Sequence, residues 1–238
     1  MTRRRWIADE FSENQAALTG EHADHLIRVL RARIGQEFDI STGARVRRAR
    51  ITQISAGRVD FELREEVPVA PETNITLLLS IFKFDRMEWA IEKCTELGVS
   101  RIVPVIAHRT DSHLAAAAVK RVERWRRIAT QATEQSRRAS QPEIADPAPL
   151  RQAADRCGAV RIVLAESEDQ TTLGAALSAN ANAHAIALAI GPEGGWTKDE
   201  LDLFQQNEWI SASLGPTILR AETAAVAATA ICLSALDR

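Results

Sequence analysis

In the first part of the chain, apolar and polar positions alternate with period two over short segments. These are Glu37-Phe38-Asp39-Ile40, Ala49-Arg50-Ile51-Thr52 and Arg58-Val59-Asp60-Phe61-Glu62-Leu63, separated by Thr42-Gly43 and Ala56-Gly57. Strands with one buried face have this pattern, and several of them divided by turn residues predict a small β-barrel. Only Glu21 to Arg33 has helical spacing here. Beyond Val67-Pro68-Val69-Ala70-Pro71-Glu72 the texture changes to apolar runs: Ile75 to Phe82, Arg101 to Ile106, Val160 to Ala165, Ala185 to Ile190 and Ile210 to Leu214. Runs without alternation are strands buried on both faces, and helical segments between them predict an α/β unit with a parallel sheet. Two prolines at the change of texture set the expected boundary: one domain over residues 1–72, another over 73–238.

Helix starts are legible in the second part. Asp85 with Glu88, and Thr197 with Glu200, have the spacing of a capping box, where two side chains satisfy each other's orphan amides. The first of these helices places Met87, Ala90, Ile91, Cys94 and Leu97 on one face and stops at Gly98. Residues 139–149, rich in Pro and Ala, are expected to be a loop. There is no internal repeat.

Hydrophobic residues make up 45% of 238 positions, enough for a packed core, and no apolar run approaches the roughly 20 residues of a membrane helix. With no leader-like segment behind Met1, a cytoplasmic protein is expected, without a membrane partner. Cys94, Cys157 and Cys232 follow no ligand spacing, so neither a metal site nor a disulfide framework is expected. His22 and His25 stand three apart on a helix, but no third ligand accompanies them. His108, His113 and His184 offer no nucleophile-base pairing, and Trp125 reads as core.

A net charge of −2 argues by itself against a nucleic-acid partner, but the distribution argues the other way. Arg45, Arg47, Arg48, Arg50 and Arg58 fall together with no acidic residue among them. A second basic run, from Val119 to Arg138, contains only Glu123 and Glu134 as carboxylates. Two arginine-rich runs in separate modules point to phosphate contacts.

The candidate chemistry lies at strand ends. Gly191-Pro192-Glu193-Gly194-Gly195-Trp196 follows one buried strand, Leu214-Gly215-Pro216-Thr217-Ile218-Leu219-Arg220 follows another, and a third ends in Leu164-Ala165-Glu166. Open α/β sheets bind ligands at the carboxyl ends of strands. Glycines there remove side chains and permit positive φ, so that backbone groups can approach a flat ligand. The strings are neither a P-loop nor GxGxxG. Arg220 and Glu222, at the head of an otherwise apolar helix, read equally as a surface pair or as functional groups.

Taken together, the motifs resemble one family. GPEGG followed by LG-x-x-ILR-x-ETA, the segment from Lys83 and Arg86 through Glu96-Leu97-Gly98-Val99, Ile102-Val103-Pro104 with Arg109, Trp125, Glu134 to Arg138 with Pro142, and His25-x-x-x-Val29-Leu30-Arg31 are similar to the ribosomal RNA small subunit methyltransferase E family of the SPOUT class. The likeness spans nearly the whole chain. It departs at Ala139, where the family has a small polar residue, and at Thr217, where Arg is common.

The resemblance implies a PUA-like β-barrel followed by a SPOUT α/β domain whose C-terminal segment is tucked into a trefoil knot. It implies a homodimer, S-adenosylmethionine as cofactor, and methylation of N3 of a uridine in 16S rRNA of the small ribosomal subunit. Leu164 to Glu166, Gly191 to Gly195, Leu214, Gly215, Ile218 to Arg220 and Thr223 are the expected cofactor residues, with Arg220, Glu166 and Arg138 as the catalytic candidates. Arg4, Arg5, His25, Arg28, Arg31, Arg45, Arg47, Arg48, Arg50, Lys83, Arg86 and Arg138 are the expected RNA contacts. A SPOUT enzyme acting on tRNA or 23S rRNA, and a non-catalytic RNA-binding dimer, are the alternatives.

Overall fold

The computed structural model describes residues 5–43, 45–69, 73–154 and 160–236, and Arg4 and Cys157 lie outside them. The chain divides into two compact units. One comprises residues 1–71 together with 133–141, the other 72–132 together with 142–238.

In the first unit the strands are β1 (Arg5–Ile7), β2 (Glu10–Phe11), β3 (Gln15–Thr19), β4 (Glu37–Ser41), β5 (Val46–Ser55) and β6 (Arg58–Glu66), with the short helix α1 (Gly20–Asp24) after β3. They form one sheet in the order β1-β4-β5-β6-β3-β2, antiparallel throughout except for the β1/β4 pair. The alternation seen in the sequence becomes the inside face: Phe38, Ile40, Ala49, Ile51, Val59, Phe61 and Leu63 are buried with Trp6, Leu18 and Leu26. The helix expected over residues 21–33 is shorter than its apolar spacing suggests. It gives way to one π-helical turn, His25–Val29, and the chain then reverses at Arg31 with φ 50°. Segment 133–141 is fastened to this unit by side chains. The Ser41 hydroxyl donates to the Ala139 carbonyl, the Arg5 guanidinium donates to the Arg137 carbonyl, and His22 Nε2 lies 3.7 Å from Glu134.

In the second unit the elements are β7 (Ile75–Ser80), α2 (Phe84–Glu96), β8 (Arg101–Ile106), α3 (Ser112–Ala118), α4 (Val122–Ser136), β9 (Glu143–Ile144), β10 (Ala148–Pro149), α5 (Leu150–Ala154), β11 (Val160–Leu164), α6 (Leu173–Ala179), β12 (Ile186–Ile190), α7 (Lys198–Gln206), β13 (Ile210–Ala212) and α8 (Ala221–Leu236). The last turn of α4 is counted with the first unit. The sheet order is β10-β8-β7-β12-β11-β13, with β9 beside β8, and every pair is parallel. Successive residues of each strand enter opposite cores. Ile75, Leu77, Leu79, Ile186, Leu188 and Ile190 meet α2, α4, α6 and α8, whereas Leu78, Ala187, Ala189 and Val163 meet α5, α7 and the rings of Trp196, Phe204 and Trp209. The predominance of apolar residues in these strands is thereby explained, since a core lies on each face of the sheet.

Two expectations need correction. The supposed loop over residues 139–149 holds the short strands β9 and β10, which pair with β8 through backbone bonds that apolar periodicity does not report. The Asp85/Glu88 capping box does not form, because α2 begins after Lys83 and no side chain caps it. Glu88 instead accepts two bonds from Arg124, at 2.7 and 2.8 Å. Such a paired guanidinium outcompetes a single backbone amide.

The Thr197/Glu200 box does form. Glu200 is buried and does more than cap: one oxygen accepts from the Thr197 amide and hydroxyl, while the other accepts from the His108 amide at 2.7 Å. Glu200→Ala should therefore leave two part-buried amides without these partners and lower stability by about 1–2 kcal/mol. Denaturant titration checks this, with the midpoint expected to fall and the slope to stay unchanged.

Candidate active site

Because β11, β12 and β13 are parallel neighbours in the order β12-β11-β13, their carboxyl ends open on the same edge of the sheet. The three strand-end segments together line a cavity of about 490 Å³. Its wall runs from Leu164 to Ser167, from Ile190 to Trp196 and from Ala212 to Ala221, with Arg86, Arg109, Leu201 and Ala224. Expected cofactor residues Leu164, Ala165, Glu166, Gly191 to Gly195, Leu214, Gly215 and Ile218 to Arg220 all lie on it. Thr223 does not, being exposed on the first turns of α8.

The glycines have distinct reasons. Only Gly195, of the three in its loop, has positive φ, at 68°. A Cβ on Gly191 would stand 3.2 Å from the Trp196 indole nitrogen, and one on Gly194 would stand 3.3 Å from Cδ of Arg109. Gly191 and Gly194 are thus glycines for space, and Gly195 is one for backbone conformation. In the second loop Gly215 is in the left-handed region at φ 120°.

Three contacts hold these loops. The Trp196 indole nitrogen donates to the Leu164 carbonyl at 3.0 Å, tying the end of β11 to the loop after β12. Arg109, just past β8, donates to the carbonyls of Gly194 at 2.6 Å and Trp196 at 3.4 Å. Arg86 on α2 pairs with Glu193 at 2.8 Å and approaches Glu222 at 3.7 Å. Glu222 is therefore no surface partner of Arg220. It is buried in the first turn of α8, where the helix dipole favours a carboxylate.

Arg220 is exposed on the cavity wall and makes no ion pair among the described residues. Glu166 lies across the same cavity, its carboxylate 4.0 Å from where a Gly195 Cβ would be. Arg138 belongs with the other unit and is not among the residues that line this cavity. Arg109 is the cavity residue that sequence reasoning did not single out for a role. Its position just past a strand's carboxyl end was the available signal.

The arginines expected to meet RNA divide into two groups. In the barrel Arg47 donates to the carbonyls of Arg64 and Glu13, Arg48 pairs with Asp39 at 2.9 Å, and Arg5 is half-buried, its pKa lowered mainly by that burial. Their guanidinium groups serve the fold. Arg28, Arg31, Arg45 and Arg50 are exposed, as is Lys83 at the head of α2, while His25 packs edge-on against Trp6. In the second basic run Arg121 and Arg124 share Glu88, and Arg126 pairs with Glu123 and Asp146. Burial pushes the thiols of Cys94 and Cys232 up to about 12, which leaves them as packing residues at neutral pH. Among the described residues no cluster of metal-ligating side chains occurs, and no helix is long and apolar enough to cross a membrane.

An all-parallel sheet with glycine loops at adjacent strand ends, preceded in the chain by a mostly antiparallel sheet, is the architecture that a SPOUT α/β methyltransferase with a PUA-like domain calls for. The RNA methyltransferase domain model matches residues 70–233 and the RNA methyltransferase PUA domain model residues 18–64. The chain is 33% identical to the ribosomal RNA small subunit methyltransferase E of Synechocystis, over 93% of this chain and 74% of that one. It is 30% identical to that of Rickettsia conorii, over 95% and 93%. The structure superposes with TM-score 0.86 on the crystal structure of a ribosomal RNA small subunit methyltransferase E from Neisseria gonorrhoeae bound to S-adenosyl methionine, at 31% identity and with 98% of both chains covered. The chain belongs to the ribosomal RNA small subunit methyltransferase E family.

The glycine geometry makes a testable distinction. Gly195→Ala forces a Cβ into a left-handed conformation and should destabilise the protein by about 1 kcal/mol. Gly194→Ala requires only that the flexible stem of Arg109 move by a few tenths of an ångström. Thermal unfolding of the two variants should rank Gly194→Ala as the milder, and the reverse order would contradict this reading.

Proposed function

We propose that this protein transfers the methyl group of S-adenosylmethionine to N3 of a uridine in 16S rRNA of the small ribosomal subunit. The observation that carries the reading is a cavity formed by three neighbouring strand ends, in which Arg220, without an ion pair among the described residues, and the Glu166 carboxylate share the wall. Family membership and the relatives' names support the rRNA substrate, and the neighbour's bound ligand supports the cofactor. A ribosomal substrate implies a cytoplasmic site of action.

The wall suits a nucleoside-bearing sulfonium. Leu164, Leu214, Ile218 and Leu219 offer apolar surface, and Ile218 stays 78% exposed on the cavity wall. Gly191, Gly194 and Gly195 put backbone without side chains on the cavity wall. When bound, the cofactor supplies a methyl group that is already electrophilic. The protein's own task is on the RNA side. N3 of uracil carries a proton and is a poor nucleophile until that proton leaves. In this reading Glu166 accepts the proton, directly or through a water, and the Arg220 guanidinium stabilises the uracil anion. Both are side chains of strand-end segments anchored by the Trp196, Arg109 and Arg86 contacts, so alignment is fixed before substrate arrives. Arg138, in the barrel unit, is then an RNA contact. N3 is hidden in Watson-Crick pairs, so the target uridine must be unpaired or extruded. A separate RNA-gripping domain, residues 1–72 by the sequence boundary, serves that need.

Arg220→Ala should lower kcat by about 10²–10³ with RNA affinity nearly intact. Nucleoside mass spectrometry of 16S rRNA from a deletion strain, before and after treatment with the enzyme, should gain 3-methyluridine. Methyl on uracil C5, guanine N1 or a ribose 2′-oxygen would reject N3, and transfer to tRNA or 23S rRNA alone would reject the substrate.

The reading includes a homodimer. Support comes from apolar side chains left at the surface of the two packed helices α2 and α8: Trp89 is 45% exposed and Ile231 39%. Light scattering should give twice the chain mass, and Trp89→Glu should lower it to one.

A further inference from the structure

We propose that the barrel-unit loop from Arg28 to Gly35 is a wedge for unpaired RNA, in which Val29 and Ile34 insert between unstacked bases while Arg31, Arg33 and Arg50 hold the flanking phosphates. The proposal rests on the RNA substrate argued above and adds the mode of grip.

Val29 is 64% exposed and Ile34 67%, with Leu30 between them at 40%. These side chains are not simply left over at the end of a loose loop, because the backbone that carries them is fastened at both ends. Leu30 donates to the His25 carbonyl at 3.2 Å and Ala32 to Leu26 at 3.1 Å. Gly35 donates to Ile51 at 2.9 Å, and Ile51 returns a bond to Gln36 at 2.9 Å. The Gln36 side chain also accepts from the Arg33 amide at 3.2 Å. Ala32, within the same stretch, packs on the barrel core. An ordered loop that buries an alanine and holds out a valine, a leucine and an isoleucine presents apolar surface to something outside. Arg31 adds a second observation. Its φ of 50° is a conformation that side chains other than glycine rarely adopt, and such strain collects where function fixes the backbone.

Charge selects the partner. Arg31, Arg33 and Arg50 make no ion pair among the described residues, and Arg28 reaches only Asp24, at 3.8 Å. The Arg50 guanidinium lies against Gly35, since a Cβ built there would stand 3.3 Å from its Nη2, and this places a cation from β5 beside Ile34. Apolar side chains set among uncompensated guanidinium groups fit a polyanion that also offers flat apolar faces. RNA with unstacked bases is that partner, and a continuous duplex, its bases stacked inward, is not.

The two kinds of contact respond differently to salt. Phosphate neutralisation releases counterions and sets the slope of log affinity against log salt, whereas apolar insertion lowers affinity without changing that slope. The test is filter binding of the full-length protein to 16S rRNA, to a single-stranded oligonucleotide and to a blunt duplex, over a salt series. Val29→Ser with Ile34→Ser should weaken binding to rRNA and to the single strand about tenfold at every salt concentration, with an unchanged slope and unchanged duplex affinity. Arg31→Gln with Arg33→Gln should instead flatten the slope. Ile34→Trp, which adds a stacking ring at an exposed position, should tighten single-strand binding. Undiminished affinity in the serine variant, or equal loss on the duplex, overturns the wedge while leaving the function above standing. Failure of the unaltered protein to bind rRNA overturns both.

Discussion

Parallel strands leave a sheet at one common edge, and in this protein that constraint determines where chemistry can occur. With helices covering both faces of the sheet, β12 is buried along its whole length and β7 nearly so, and neither face has room for a polar group without a partner. The carboxyl edge is the place where the chain can turn, expose backbone and meet a ligand. Register then does the gathering. Since β11 pairs with β12 on one side and β13 on the other, segments more than twenty residues apart in sequence become walls of one cavity.

The loops at that edge are held by bonds made to backbone carbonyls rather than by packing alone. Trp196 reaches Leu164, and Arg109 reaches Gly194 and Trp196. Each uses a long side chain to fix a neighbouring loop whose glycines could not otherwise be restrained, since a glycine has no side chain to wedge against its surroundings. Arg86 joins the same assembly through carboxylates, linking Glu193 in the loop to Glu222 at the head of α8. The loops are thus braced by side chains that themselves form part of the cavity wall.

Charge is distributed by a similar division. A protein with net charge −2 can still grip a polyanion if some of its arginines are withdrawn from the surface balance and others left uncompensated. Arg47 and Arg48 sit in the most basic stretch of the sequence, yet they bind barrel carbonyls and Asp39. Arg31 and Arg33, in a less conspicuous stretch, remain free of ion pairs among the described residues. A run of like charges in sequence therefore says little about which guanidinium groups face solvent, because neighbouring strand residues point to opposite faces and cross-strand partners come from elsewhere in the chain.

By itself the sequence determined the elements whose cause is local. Period-two alternation marked β4 and β6 because each has one buried face, apolar runs marked β7, β8, β11 and β12 because each has a core on both faces, and Thr197 with Glu200 marked the start of α7 because a cap is a contact between residues three apart. Gly191 to Gly195 and Leu214 to Arg220 were visible as strand-end loops for the same reason. Only the tertiary structure decided what depends on residues distant in the chain. It assigned Glu88 to Arg124 instead of a cap, added β9 and β10 to the edge of β8, and placed residues 133–141 with the barrel. It also distinguished Gly191 and Gly194, which make room for Trp196 and Arg109, from Gly195, which the backbone itself requires. The physical reason is common to all of these: a hydrogen bond or a close approach has an energy set by distance in space, and sequence reports that distance only over the few residues that one turn or one strand spans.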